Sequence, residues 1–191
     1  MLVKEFLTKD PAKTKEGSRV CDTRELMEDK NFRIIFVVDG EERLSGFLTY
    51  DSIKDKPGER EIDDFVSRST LHTQVDDPID KAVSIIREYG LMVLPVVDGE
   101  RKLVGVLTPG KLFEEFSELL NFGEGGFWLT LEYEDSDSFD RLLSVMGEHD
   151  VEILSLLNST DEERNRMILK IGKVDDSEEL KRSLEKVMTD E

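Results

Sequence analysis

Two stretches of the chain are nearly the same: residues 37–49 read VVDGEERLSGFLT, and residues 96–108 read VVDGERKLVGVLT. The offset of 59 residues holds without a gap when residues 3–53 are aligned with residues 62–112, and eleven of these 51 positions are identical. Gapless self-similarity over this length indicates two copies of one structural unit. The chain therefore contains a tandem repeat, and each copy predicts the fold of the other.

The first helix of the second copy is visible as an apolar face at helical spacing. Its members are Ile79, Ala82, Val83 and Ile86. We expect Asp77 to cap this helix, Pro78 to lie in its first turn and Gly90 to end it.

A strand hairpin follows this helix. Residues 91–97 are continuously apolar, Asp98-Gly99 is a turn signal, and residues 103–107 predict a second strand. Thr108-Pro109 opens a further helix. The first copy has the same order, with its own turn at Asp39-Gly40 and a less regular first helix.

Neither copy has enough apolar surface for an independent core. We therefore expect the strand faces of the two copies to cover each other. Two interpretations of the duplication follow: it contributes to stability alone, or two similar halves leave two similar clefts between them.

Composition narrows the classes of function. The 191 residues include 44 acidic and 26 basic ones, for a net charge of −18, and such a field repels nucleic acids and anionic membranes. Cys21 is the only cysteine, so an internal disulfide is excluded. The N-terminal residues lack the apolar run of a signal peptide, and no apolar segment is long enough to span a membrane. A cytoplasmic protein is expected.

The order β-α-β-β-α, the strand PVVDGE at residues 95–100 and the passage VGVLT at residues 104–108 resemble a CBS domain. Two in tandem resemble a CBS pair (Bateman module), with repeat 1 over residues 1–56 and repeat 2 over residues 57–120. The resemblance implies an α/β (α+β) fold in which two repeats form one module. In that family a segment Gly-x-x-Thr/Ser-x-x-Asp lines an adenine-nucleotide site. Its Thr or Ser caps a helix, and its Asp holds the ribose hydroxyls.

Both copies depart from that segment at the Asp position. Residues 46–52 read GFLTYDS, so Asp51 comes one residue early and Ser52 occupies the usual position. Residues 105–111 read GVLTPGK, which places Lys111 there. The resemblance therefore implies that Asp51 is the ribose partner in a first cleft, whereas Lys111 favours a phosphate in a second.

The resemblance also implies that the base is enclosed by the segment before each first helix and by the apolar strand. The candidate ligand-binding residues are Ala12, Lys13, Thr14, Ile35, Phe36, Thr49, Asp51, Ser52, Leu71, His72, Thr73, Leu94, Pro95, Thr108 and Lys111. Ordinary roles stay open for some of them. Helix capping alone explains Thr49 and Thr108. An exposed lysine explains Lys111, and a core or solvent-facing imidazole explains His72.

A Gly-rich linker at residues 121–126 precedes the remaining third of the chain. Strands are predicted over residues 127–133, 151–157 and 166–171. Two helices are marked by apolar faces, the first formed by Phe139, Leu142, Leu143 and Met146 and the second by Leu180, Leu184 and Val187. This order over residues 127–191 resembles an ACT domain, a ferredoxin-like regulatory fold that often binds amino acids at a dimer interface.

Two features separate this third from the ACT family. The usual Asp-x-Pro-Gly loop is replaced by Glu134-Asp135-Ser136-Asp137, which disfavours amino-acid binding, and the chain reaches Glu191 before a fourth strand. An exposed sheet edge results, and a partner domain would cover it. Asp137 or Ser138 is expected to cap the following helix. A CBS pair followed by an ACT domain is also the layout of AcuB-type proteins of acetoin utilisation, which the whole chain resembles.

Catalysis is not expected. An active site needs a nucleophile, a base and an orienting group, or a metal, and the two histidines, His72 and His149, lie 77 positions apart. Glu148, His149 and Asp150 are adjacent on a helix end and point apart, so no metal site is expected.

Two hypotheses of function remain. The first is a non-catalytic sensor that binds AMP, ADP, ATP or S-adenosylmethionine as a regulatory ligand, needs no cofactor, and acts through a homodimer on a regulated enzyme. The second is an interaction scaffold that keeps the fold without a ligand, and amino-acid sensing by the ACT-like third is a further alternative. The altered Asp positions favour the scaffold. The retained threonines and Lys111 favour the sensor, which we prefer.

Overall fold

The computed structural model describes residues 1–68, 71–133, 137–160, 165–174 and 176–188, with the backbone alone for Val187 and Met188. The fold is mixed α+β, and the chain divides into two compact units, Met1–Phe113 and Glu114–Glu191. The predicted domain boundaries after residues 56 and 120 stay predictions.

The first unit contains the two repeats, which have the same order of elements. Repeat 1 comprises β1 (Lys13–Lys15), α1 (Val20–Asp29), β2 (Ile34–Val38), β3 (Leu44–Thr49) and α2 (Tyr50–Ile53). Repeat 2 comprises β4 (Thr73–Gln74), α3 (Ile79–Tyr89), β5 (Leu94–Val97), β6 (Leu103–Leu107) and α4 (Pro109–Leu119). In each repeat the first strand pairs in parallel with the second, and the second pairs antiparallel with the third.

The two hairpins contact each other through reciprocal hydrogen bonds. The Leu44 N–H donates to the Arg101 carbonyl at 3.0 Å, and the Leu103 N–H donates to the Glu42 carbonyl at 3.0 Å. Glu42 and Arg101 have φ values of 66° and 65°, so the left-handed residue also recurs. These contacts repeat at the 59-residue offset, which makes the unit two-fold pseudosymmetric.

The first residues of each repeat also pack against the other repeat and form hydrogen bonds with it. Val3 and Ile62, both fully buried, start short 3₁₀ turns. The Val3 N–H donates to the Asp77 carbonyl of repeat 2 at 2.9 Å, and the Ile62 N–H donates to the Ser18 carbonyl of repeat 1 at 3.0 Å. The repeats therefore complete each other.

Strand alternation divides the apolar residues of β2 between two cores. Ile35 and Val37 point into the core of repeat 1, whose buried members are Val20, Met27, Ile35, Val37, Leu48, Ile53 and Ile62. Phe36 and Val38 point the other way and form a cluster with Leu103 and Val106 of repeat 2. The expected covering of one copy's strand face by the other is confirmed by this cluster.

Three predictions at the ends of elements need correction, among them that Pro78 lies in the first turn of α3, and one is confirmed. Asp77 does not cap α3: Pro78 is the N-cap residue, and the Asp77 carboxylate instead accepts the Gln74 N–H at 2.8 Å. The predicted strand over residues 91–97 begins only at Leu94. Gly90 ends α3 as predicted, with φ of 61° and its N–H bonded to the Ile86 carbonyl.

The second unit, which begins inside α4, contains one antiparallel sheet in the order β7-β9-β8. Its elements are β7 (Phe127–Tyr133), α5 (Ser138–Glu148), β8 (Ile153–Thr160), β9 (Asn165–Ile171) and α6 (Ser177–Met188). Helix and strand residues share a core of Leu142, Val145, Met146, Met167, Leu169, Ile171, Leu180 and Leu184. This arrangement is consistent with the predicted ACT-like fold.

The predictions for the cap of α5, for the substituted loop and for the linker have different outcomes. Asp137 occupies the N-cap position of α5, but its side chain makes no capping hydrogen bond. Residues 134–136 of the substituted loop and the Val187 side chain lie outside the described residues. The predicted linker, residues 121–126, is held by hydrogen bonds from the buried Lys170. Its ammonium donates to the Asn121 carbonyl and, at 2.8 Å, to the Glu124 carbonyl.

Candidate functional site

A pocket of about 330 Å³ opens within the Met1–Phe113 unit, between strands of the two repeats. The residues that line it are Ile34, Phe36, Leu44, Gly46, Phe47, Leu71, Gly90, Leu91, Met92, Val93 and Pro95. This volume is at the lower end of the range for small-molecule sites. In the part of the chain that the structure describes, the whole lining is apolar or glycine.

The alternation of side chains along β2 and β5 decides which predicted residues reach the pocket. Phe36 and Pro95 line it, as does Leu71 from the segment before α3. Ile35 and Leu94 do not, because neighbouring residues of a strand point to opposite faces, and Ile35 packs in the core of repeat 1. These two candidates therefore face away from this pocket, and their role in ligand binding stays a prediction.

The threonine at the end of β3 has the predicted capping role. Thr49 Oγ1 accepts the Ser52 N–H at 3.3 Å, and Ser52 Oγ donates back to the Thr49 carbonyl at 2.7 Å. Asp51 is exposed, and its carboxylate accepts a hydrogen bond from Lys54 Nζ at 2.7 Å. That bond holds the pKa of Asp51 below its usual range. The carboxylate proposed for a ribose is thus paired at the surface.

The equivalent threonine of repeat 2 caps α4. Thr108 Oγ1 accepts the Lys111 N–H at 3.1 Å, and the helix begins at Pro109 as predicted. Lys111 is half-buried, and its side chain is not among the residues that line the pocket.

In the segment before α1, two of the three candidates make local polar contacts. Lys13 forms an ion pair with Glu42, and this hydrogen bond lowers the pKa of the Glu42 carboxyl. The hydroxyl oxygens of Thr14 and Thr23 lie 3.3 Å apart, and Ala12 is half-buried.

The segment before α3 differs from its counterpart because one of its three candidates lines the pocket. The buried hydroxyl of Thr73 donates to Asp77 Oδ2 at 3.0 Å, and His72 is half-buried. Leu71 occupies the position that Ala12 has in repeat 1, and among the six candidates of these two segments it alone lines the pocket.

Sequence reasoning missed the loop after α3. Residues 90–93 form one wall of the pocket, and Met92 there is 75% exposed. The prediction of a strand from residue 91 obscured this wall, since an apolar run is compatible with either a strand or a loop lining a cavity. An apolar side chain next to the helix-ending Gly90 was the available signal.

The described residues contain neither a membrane-spanning helix nor a cluster suited to a metal ion. None of the helices there is long and apolar enough to cross a membrane. In the same part of the chain, no group of three or more His, Cys, Asp or Glu side chains is arranged to hold a metal ion.

Comparison with known proteins identifies the two repeats. The CBS domain family profile matches residues 3–58 and 62–118. A homoserine O-acetyltransferase of Methanocorpusculum labreanum is 29% identical over 122 residues, which are 63% of this chain and 25% of that protein. The chain spans about a quarter of the length of the curated relatives it matches first.

Solved structures give the same result. A CBS domain pair/ACT domain protein from Thermotoga maritima is 25% identical with a TM-score of 0.57, over 63% of this chain and 99% of that chain. A CBS domain pair crystallised with 5′-methylthioadenosine and S-adenosyl-L-methionine is 23% identical with a TM-score of 0.52, over 62% of this chain and 97% of that chain. The second likeness concerns the fold alone. The narrower resemblance to AcuB-type proteins stays a prediction.

Proposed function

We propose, since the chain belongs to the CBS domain family over residues 3–58 and 62–118, that its two repeats form a regulatory module that binds an adenosyl ligand between them. The observation that carries this proposal is the 330 Å³ pocket whose walls come from both repeats. A ligand held there contacts both halves at once. Binding would therefore favour one relative arrangement of the halves over others.

The lining determines which part of the ligand enters. Phe36 and Phe47 offer aromatic faces to a purine, and Pro95 and Leu71 add apolar contacts. Transfer of a charged phosphate into such a lining costs free energy, because no described lining residue is a cation. We infer that the base occupies the pocket while charged substituents stay in solvent.

The regulatory role is proposed as non-catalytic. The matched acetyltransferase contains the CBS-like segment as a quarter of its length, which is consistent with a regulatory segment attached to separate catalytic machinery. We propose that this chain acts as a homodimer and regulates a separate enzyme, as such a segment would regulate the catalytic part of its own chain.

An interaction scaffold without a ligand is the second candidate. It is favoured by the ion pair between Asp51 and Lys54, since that pair occupies the carboxylate that would otherwise hold a ribose. A surface ion pair of this kind contributes little free energy, so a ribose is able to displace it.

Thermal unfolding with AMP, ADP, ATP, S-adenosylmethionine and 5′-methylthioadenosine separates the two candidates. A ligand at 100 times its Kd adds about 2.7 kcal/mol to the free energy of unfolding, which raises the Tm by roughly 5–10 °C for a chain of this size. The expected result is such a shift with at least one adenosyl compound. No shift with any compound at millimolar concentration would favour the scaffold over the sensor.

A pair of variants then locates the site. Leu71→Glu places a carboxylate in the pocket wall, whereas Ala12→Glu makes the matched change at the equivalent, equally half-buried position of repeat 1. We expect Leu71→Glu to abolish the ligand-induced shift and Ala12→Glu to keep it. The reverse outcome would move the ligand to the two-fold related surface.

A further inference from the structure

The Glu114–Glu191 unit presents one long strand at the end of its sheet. In the order β7-β9-β8, β7 pairs with β9 over all seven of its residues, from Phe127 opposite Ile171 to Tyr133 opposite Asn165. No other described strand pairs with β7. Its second edge therefore offers backbone N–H and carbonyl groups to a further strand.

An apolar groove lies beside this strand. It has a volume of about 400 Å³ and is bounded by β7 and α6. Its apolar lining includes Phe127, Leu129, Leu131, Val174, Leu180 and Leu184, and α6 adds the polar residues Ser177, Glu178, Lys181 and Glu185. At the start of this strand, Phe127 and Trp128 remain 52% and 40% exposed.

The usual protection of an edge strand is missing in β7. Residues 127–133 read FWLTLEY, with no proline and no lysine, and the ladder to β9 runs without an irregularity. The opposite edge strand, β8, has a register shift between Ile153 and Ser155. Proteins commonly use prolines, lysines and bulges to prevent pairing with a further strand. Of the two edges, β7 is the one suited to accept a strand.

We propose that β7 of a second copy of this chain occupies this edge, antiparallel and centred on Thr130. This register places Phe127 opposite Tyr133, Leu129 opposite Leu131, and Thr130 opposite the Thr130 of the other copy. Aromatic pairs and threonine pairs at opposed positions each stabilise antiparallel strands. The strand is thus complementary to itself.

Charge supports this occupant and this register. The whole chain has 37% charged residues and a net charge of −18, yet β7 contains a single charged residue, Glu132. With Thr130 at the centre, Glu132 lies opposite Trp128 of the other copy. A register centred on Glu132 would oppose two carboxylates, which is unfavourable.

The faces of the strand agree with the same register. Leu129, Leu131 and Tyr133 pack on the helix-covered core, while Trp128 and Thr130 lie on the other face and are exposed. An antiparallel pair centred on one residue joins odd positions to odd positions and even to even. The apolar side of one copy therefore continues into the apolar side of the other and covers the groove.

Single-cysteine cross-linking of the full chain tests this pairing. In a Cys21→Ser background, Thr130→Cys gives two thiols directly opposite each other, with Cα atoms roughly 4.5–5.5 Å apart, which a disulfide can bridge. Glu132→Cys is the matched control on the same face of the same strand. Its two copies would be roughly 13 Å apart, because each is displaced by two residues from the centre.

We expect mild oxidation to convert most of the Thr130→Cys protein to a disulfide-linked dimer and to leave the Glu132→Cys protein at least tenfold less cross-linked. A mixture of the Trp128→Cys and Glu132→Cys proteins should form a disulfide-linked dimer, because residue 128 of one copy lies opposite residue 132 of the other. Equal cross-linking at 130 and 132, or none at 130 when the reduced variant unfolds at the wild-type temperature, would overturn the proposal. This readout needs no ligand, so it is independent of the proposed adenosyl site.

If a cysteine variant oxidises poorly, a change of charge at residue 130 tests the same pairing through its effect on association of the two copies. Thr130→Lys opposes two cations and should reduce this association at least tenfold, whereas Thr130→Val should keep it. A mixture of Thr130→Lys and Thr130→Glu chains should recover association as a heterodimer. Failure of the mixture to associate more tightly than either variant alone would contradict the pairing of residue 130 with itself.

Discussion

Repeat 1 and repeat 2 adopt the same backbone with different residues at its most demanding positions. After the first helix, Asn31 has φ of 55° in repeat 1, and Gly90 has φ of 61° at the equivalent position of repeat 2. In the hairpins, Glu42 and Arg101 adopt the left-handed conformation without being glycine. The hydrogen bonds between the hairpins recur where the residue types differ. Backbone pairing across the two-fold axis therefore maintains the repeat more than side-chain identity does.

The side chains around the pocket, unlike the backbone, differ between the two repeats. Repeat 2 supplies Leu71 and Met92 to the lining, whereas the equivalent residues of repeat 1 are Ala12 and Arg33. Two surfaces that share a backbone therefore differ in polarity. The duplication provides the geometry, and divergence of a few residues determines what each surface binds.

The largest effect that would test this pseudosymmetry is expected at Gly46. A Cβ atom there would lie 2.5 Å from the Ser67 carbonyl oxygen, whose residue exchanges two backbone hydrogen bonds with Phe47. Gly46→Ala should lower the free energy of unfolding by about 1–3 kcal/mol, since a packed backbone cannot easily move away. Urea denaturation measures this change.

Gly105 is the equivalent position and should respond less. Its added Cβ would meet the Thr8 carbonyl oxygen at 2.8 Å, against 2.5 Å for the Ser67 oxygen at Gly46, and Leu7 Cδ1 at 2.7 Å. The leucine side chain is able to move, but Thr8 exchanges two backbone hydrogen bonds with Val106, so only the longer distance to the carbonyl makes the loss smaller. Gly40→Ala is the control, because nothing lies within 4 Å of a Cβ there, and its effect should stay within about 0.5 kcal/mol. If Gly46→Ala were as neutral as Gly40→Ala, the close approach of the two repeats would be wrong.

A second asymmetry predicts a pH dependence that belongs to repeat 2. Asp77 has no counterpart carboxylate, because the equivalent residue of repeat 1 is Ser18. Burial raises the pKa of Asp77, but hydrogen bonds from the Gln74 N–H, Lys81 and Thr73 outweigh burial, so the pKa lies below its ordinary value. A carboxyl with a lowered pKa stabilises the fold above its unfolded-state pKa of about 3.9, and this contribution is lost as the pH falls through the folded-state value.

Asp77→Ser gives repeat 2 the residue of repeat 1 and isolates this contribution. At pH 7 the variant should be about 1–3 kcal/mol less stable, because it leaves the buried Thr73 hydroxyl and the Gln74 N–H without their acceptor. The difference from the wild type should stay constant between pH 7 and pH 5 and shrink below about pH 4. Urea denaturation across this range measures it, and a difference that is the same at every pH would contradict the assigned role.

The sequence predicted the repeat, its order of elements and the helix-ending Gly90, because each depends on local periodicity or on a residue with a special backbone preference. It did not predict which face of β2 and β5 meets the pocket. Ile35 and Leu94 lie in strands that are apolar on both faces, and a continuous apolar run has no period from which to choose. The completion of each repeat by Val3 or Ile62 of the other also depends on long-range pairing, which local pattern does not encode.

The smallest predicted effect is the difference in unfolding free energy between two capping variants, one at each helix that follows a hairpin. Thr49 and Thr108 cap equivalent helices through hydrogen bonds of 3.3 Å and 3.1 Å, but α2 has four residues and α4 has eleven. Thr108→Val should cost about 1 kcal/mol in the free energy of unfolding, as is usual for an N-cap threonine. Thr49→Val should cost less, because the longer bond is weaker and the capped helix is a single turn. Valine keeps the shape of threonine at both sites, so urea denaturation of the two variants compares the capping bonds alone. Equal losses would mean that the hydroxyls act through contacts other than the caps, and a larger loss at Thr49 would reverse the ranking of the two helix starts.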